Sequence, residues 1–65
     1  MSDYSLNLLT PKELAHELKV RTSWVYGETR KTGAGAIPRI RVGKYLRFRL
    51  EEVLAWLEER QNAAQ

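Results

Sequence analysis

The chain lacks cysteine altogether, has one histidine, and carries a single acid between residues 19 and 49. Without cysteine there is no disulfide scaffold, no thiol nucleophile and no cysteine-ligated zinc, and the composition fits the cytosol. No apolar run approaches the roughly 18 residues that a membrane span needs. The opening Met1–Leu9 lacks the basic region of a signal peptide and runs straight into a helix start. Internal repeats and low-complexity stretches are absent, and Gln61–Gln65 reads as a frayed tail. Catalysis needs a nucleophile with a base, or a metal cluster. The lone His16 lies off the apolar face of its helix, so we expect no enzyme, no metal and no cofactor. At 65 residues, one domain spanning 1–65 with an ordered core of about 8–60 is expected, around one small core.

What is present is a separation of charge. Residues 19–49 hold Lys19, Arg21, Arg30, Lys31, Arg39, Arg41, Lys44, Arg47 and Arg49 against Glu28, a balance of +8. The flanks hold Lys12 and Arg60 against Asp3, Glu13, Glu17, Glu51, Glu52, Glu58 and Glu59, a balance of −5. The net +3 conceals this arrangement. A merely solubilising surface would mix its signs, whereas an uninterrupted cationic strip attracts a polyanion, of which nucleic acid is the commonest.

Local patterns give the elements. Thr10-Pro11-Lys12-Glu13 combines a capping threonine, proline at the first helical position and a glutamate that completes a capping box. Leu14 and Leu18 then mark a buried face, Leu8 or Leu9 can pack against it as a staple, and the helix should end near Lys19. A second helix follows, capped by Thr22 or Ser23, with Val25 and Thr29 inside, Trp24 at the margin and Val20 anchoring the link. Thr22, Ser23, Tyr26, Gly27 and Arg30 fall together on the opposite face. Two short helices so joined form a helix-turn-helix, whose second helix is the usual reader of DNA.

After Gly33-Ala34-Gly35-Ala36 and Ile37-Pro38 the pattern changes to a period of two. Ile40, Val42, Leu46 and Phe48 are expected to face one way, and Arg39, Arg41, Tyr45, Arg47 and Arg49 the other. Gly43-Lys44 fits a two-residue hairpin turn with glycine first. A last helix from about Leu50 to Arg60 carries Glu51 and Glu52 at its positive end and a stripe of Val53, Trp56 and Leu57. The expected fold is α+β, a small winged helix-turn-helix with a two-stranded wing. Ile40, Val42, Leu46, Phe48, Val53, Trp56 and Leu57 are expected in one core.

The segments LTPKELA (9–15), SWVY (23–26), IPRIRVGKYLRF (37–48) and EVLAWL (52–57) occur in that order. Together they resemble the excisionase-like, MerR-related small DNA-binding proteins of phages and mobile elements, over about residues 8–59. The resemblance implies a second helix in the major groove, offering Thr22, Ser23, Tyr26 and Arg30, with Arg21 and Lys31 near phosphates. It implies a wing along backbone and minor groove, offering Arg39, Arg41, Lys44, Tyr45 and Arg47. It further implies double-stranded DNA, a tyrosine integrase and further copies of the chain as partners, no small-molecule ligand, and a cytoplasmic place on the bacterial nucleoid. Excisionases act as recombination directionality factors, and other relatives regulate transcription of the same elements. The connector Thr32–Ala36 is slightly longer than the family's usual turn. Gly27 sits in mid-helix at a cost of about 1 kcal/mol relative to alanine, either to admit DNA closely or because an exposed face tolerates it.

Two further classes compete. Readers of single-stranded RNA usually stack bases on aromatics of a sheet, and here only Tyr45 is so placed. A protein-interaction role could coexist through the acidic last helix.

Overall fold

A computed structural model describes residues 8–63. Its elements are strand β1 (Leu8–Leu9), helix α1 (Pro11–Leu18), helix α2 (Thr22–Thr29), strand β2 (Ile40–Val42), strand β3 (Tyr45–Arg49) and helix α3 (Leu50–Ala63). The start of α1 is the expected capping box: the Glu13 amide donates to Thr10 Oγ1 at 3.1 Å, and the Thr10 amide donates to Glu13 Oε1 at 2.9 Å. The helix stops at Lys19, which takes a left-handed conformation (φ 61°), so that the Lys19 and Val20 amides fold back onto the carbonyls of His16 and Ala15. The elbow is therefore closed through backbone. Val20, expected to anchor it, is exposed.

Helix α2 begins without either expected cap. Thr22 and Ser23 lie inside the helix, and Arg21 occupies the capping position with no side-chain hydrogen bond. Its inner face carries Val25, fully buried, as expected. Thr29 is half-buried and turns its hydroxyl onto the Tyr26 carbonyl at 2.7 Å.

Phe48 forms the centre of the core with Leu14, Ala15, Val25, Ile37 and Val53; Leu9, Leu18, Trp24, Leu46, Leu50, Trp56 and Leu57 pack around them. Phe48, Leu46, Val53, Trp56 and Leu57 thus take the places read from the sequence. Ile40 is only half-buried, Val42 is exposed, and Ile37 is in the core instead. The reason is strand parity. A two-residue turn at Gly43-Lys44 pairs Val42 with Tyr45, Arg41 with Leu46 and Ile40 with Arg47. Residues directly opposite in an antiparallel pair share a face, so Ile40 and Val42 lie on the face of Tyr45 and Arg47, not that of Leu46 and Phe48. The expected grouping was displaced by one residue on β2, which moves every side chain of that strand to the other face.

The wing gains a third strand. Leu8 pairs with Arg49 and Leu9 with Phe48, giving an antiparallel sheet in the order β1-β3-β2. From this strand Leu9 packs on the core cluster that contains Leu14, as expected of a residue just before the capping Thr10. The last helix continues through Gln61 and Asn62, where a frayed tail was expected; Ala64 and Gln65 lie outside the described residues. Three helices around a small antiparallel sheet form a winged helix-turn-helix.

Candidate nucleic-acid interface

The link Lys19-Val20-Arg21 swings α2 so that Val25 faces the core and Ser23, Tyr26 and Arg30 face solvent, with Thr22 half-buried at the rim. Tyr26 is 46% exposed. A Cβ built on Gly27 would meet nothing within 4 Å, so packing inside the chain gives no reason for glycine there. Arg21 lies exposed at the start of the helix and Lys31 just past its end. On the wing, Arg41, Lys44 and Tyr45 are exposed and Arg47 is half-buried. The structure therefore brings the expected α2 residues to the surface, but it does not gather the wing cations on one face as expected: Arg41 pairs with Leu46 and lies on the side opposite Tyr45 and Arg47. His16 is exposed on α1, as expected.

Three of the expected cations already have partners. Arg39 is half-buried and extends its guanidinium fork to the carbonyls of Thr29 and Lys31. These belong to the end of α2, where helical carbonyls have no partner within the helix. Lys31 pairs with Glu28 at 3.2 Å. Arg47 donates to the Leu46 carbonyl at 2.8 Å and lies over the Tyr45 ring, 5.5 Å from its centre. Lys44 flanks the same ring at 5.6 Å. Two cations thus brace one aromatic at the tip of the wing, a contact that orders all three side chains.

Sequence reasoning missed the group that ties α3 to α2 and to the connector. Glu28, the single acid in the basic strip, is 7% exposed and bridges Lys31, just past the end of its own helix, and Arg60 on α3, the latter at 3.1 Å. Arg60 stacks over Trp56 at 5.1 Å, and Trp56 meets Trp24 of α2 at 6.4 Å with the rings tilted by 55°. The Trp56 indole N–H donates to the Gly35 carbonyl at 2.8 Å. Gly33 and Gly35 take positive φ values of 91° and 88°, and the Ala36 amide closes that turn onto the Gly33 carbonyl. With Ile37 buried, the long connector is fastened at both ends. The signal available was Glu28 three residues after Val25, one helical turn along the inner face; Arg60 gave none.

The helix-turn-helix domain model matches residues 8–61. The chain belongs to the helix-turn-helix domain family. It is a DNA-binding protein of that type, and such domains are typically non-enzymatic. No curated protein and no solved structure matches it. The elements of the domain account for the charge separation: Arg21, Arg30, Arg41 and Lys44 stand exposed on the α2 and wing side, while Glu13, Glu17, Glu58 and Glu59 stand exposed on α1 and α3. Among the described residues no group of three histidine, cysteine, aspartate or glutamate side chains could hold a metal ion, and no helix is long and apolar enough to cross a membrane.

Proposed function

We propose that this domain is an excisionase, a recombination directionality factor that binds repeated double-stranded DNA sites, bends the DNA and assists a tyrosine integrase. Helix α2 enters the major groove, with Ser23, Tyr26 and Arg30 reading base edges, Thr22 at the rim, and Arg21 and Lys31 on phosphates. The wing lies along the backbone and minor groove through Arg41, Lys44, Tyr45 and Arg47. Arg39 acts from its clamped position, fixing the distance between the end of α2 and the wing. The single observation that carries the reading is an exposed, varied α2 face set beside an arginine-rich wing on one chain. Varied polar groups suit sequence choice, and repeated cations suit the backbone.

One α2 and one wing read only a few base pairs, and a module of this size buries about 600–1,000 Å² on DNA. Several copies on adjacent repeats compensate, the acids Glu13, Glu17, Glu58 and Glu59 of one copy facing a neighbour's wing. The protein works in the bacterial cytoplasm, on the nucleoid.

Sites selected from random duplex DNA identify the target. Stepwise gel shifts and a bending assay on the repeated site, with light scattering of the free protein, test the assembly. Excision of an integrated element in the presence of its integrase should then depend on the protein. A stable dimer in the absence of DNA, or one copy on straight DNA at saturation, contradicts the assembly. Unchanged excision with altered transcription from the element assigns the protein to regulation instead. Arg47→Ala should weaken selected and random duplexes alike and lower the salt slope by about one, whereas Arg30→Ala should change the ratio between them.

A further inference from the structure

The parity of the hairpin sets Val42 beside Tyr45 on a face expected to carry Arg39, Arg41, Tyr45, Arg47 and Arg49. Val42 and Tyr45 stand directly opposite each other across the Gly43-Lys44 turn, 48% and 54% exposed. They share their face with Arg47, and Lys44 and Arg47 flank the Tyr45 ring. Residues 39–49 hold Arg39, Arg41, Lys44, Arg47 and Arg49 and no acid. A valine and a tyrosine flanked by two cations, Lys44 and Arg47, match poorly with an apolar protein surface, because docking there would strip water from charges that gain no partner. They match a polyanion that offers apolar walls between its charges. The minor groove of duplex DNA does so: phosphates line its rims and deoxyribose carbons form its sides.

We propose that Val42 and Tyr45 form an apolar minor-groove contact, packing against deoxyribose while Lys44 and Arg47 hold the flanking phosphates. This deepens the reading of the wing as a DNA-binding element and rests on it. The wing then binds through two components that respond differently to salt. Phosphate contacts release counterions and weaken as salt rises, with a slope set by the number of phosphates neutralised. Contact between apolar surfaces releases none. Val42 is therefore a DNA-contacting residue, although its spacing from Ile40 reads as core.

The test is fluorescence anisotropy of the full chain on its selected duplex and on a random duplex over a series of salt concentrations. Val42→Ser should bind both duplexes about three- to tenfold more weakly at every salt concentration, with the slope of the parent. Tyr45→Phe should bind as the parent does, and Tyr45→Ala more weakly. Unchanged affinity of Val42→Ser, or a loss accompanied by a changed slope, overturns the proposal, as does weakening by Tyr45→Phe, which assigns the contact to the hydroxyl. Melting temperature identifies a variant that has lost its fold. In that case Val42→Thr, which keeps the shape and replaces one methyl by hydroxyl, is read by the same criteria. Light scattering without DNA separates the remaining occupant: if the parent self-associates and Val42→Ser does not, the pair is an interface between copies and the proposal is wrong. Failure of the parent to bind any duplex overturns the reading of the wing as well, whereas a bound parent with an indifferent Val42→Ser removes this inference alone.

Discussion

The two halves of this chain are organised by different physics. From Thr10 to Thr29, each feature is settled by residues within one helical turn: a capping box, a left-handed Lys19 that closes the elbow, and Val25 turned inward. From Thr32 to Ala63, the ties run between distant residues. Arg39 holds the end of α2, Trp56 holds Gly35 across 21 positions, and Arg60 holds Glu28 across 32. The first half shapes the exposed face of α2, and the second sets where the wing stands beside it. Changes in the first half should therefore act locally, while changes in the second should disturb wing and helix together.

The largest effect is expected at Phe48, whose ring lies wholly inside the core. Phe48→Ala should cost about 3–5 kcal/mol, enough to unfold so small a domain, as thermal or urea denaturation will show. Glu28→Ala comes next. Removing one partner of a fully buried pair costs about 3–5 kcal/mol, but the Lys31 and Arg60 side chains are 60% and 47% exposed and can turn to water. The expected loss is about 1–2 kcal/mol, and Arg60→Ala in the Glu28→Ala background should add less than it does alone. Trp56→Phe keeps an aromatic beside Trp24 and deletes the bond to Gly35, for about 1 kcal/mol. Amide hydrogen exchange across Thr32–Ala36 should quicken by more than that across α1. The smallest effect is a gain. Gly27→Ala should stabilise by about 0.5–1 kcal/mol, since a methyl there meets nothing. If DNA affinity falls while stability rises, the groove occupies that space; unchanged affinity means that glycine is merely tolerated.

The same division explains what could be read without coordinates. Thr10, Pro11 and Glu13 announce α1 because capping geometry is set by neighbours three residues apart, and the outward set Ser23, Tyr26 and Arg30 follows from helical spacing alone. The wing shows the opposite case. Its existence was legible in the alternation and in Gly43, but the faces were not assigned by alternation within each strand. They follow from the turn: two residues between Val42 and Tyr45 oppose those two, and Ile40 and Val42 then leave the side of Phe48. Ile37, between Ala36 and Pro38, carries no periodic signal, so its burial becomes visible only once the connector is folded. At the interface, the types of side chain were legible, whereas the partners of Lys31, Arg39 and Arg47 were not, because each depends on where a backbone carbonyl or a carboxylate comes to lie.

Glu28 has one more effect, on kinetics rather than stability. Turned inward and matched by Arg60 from the acidic last helix, it does not interrupt the field that the exposed cations project. On the proposed mode of binding, a drifting duplex is drawn to the exposed cations of α2 and the wing and repelled by the exposed acids of α1 and α3, so the molecule is turned toward DNA before any contact forms. Encounter should accordingly be fast in dilute buffer and slow steeply as salt shortens the reach of that field.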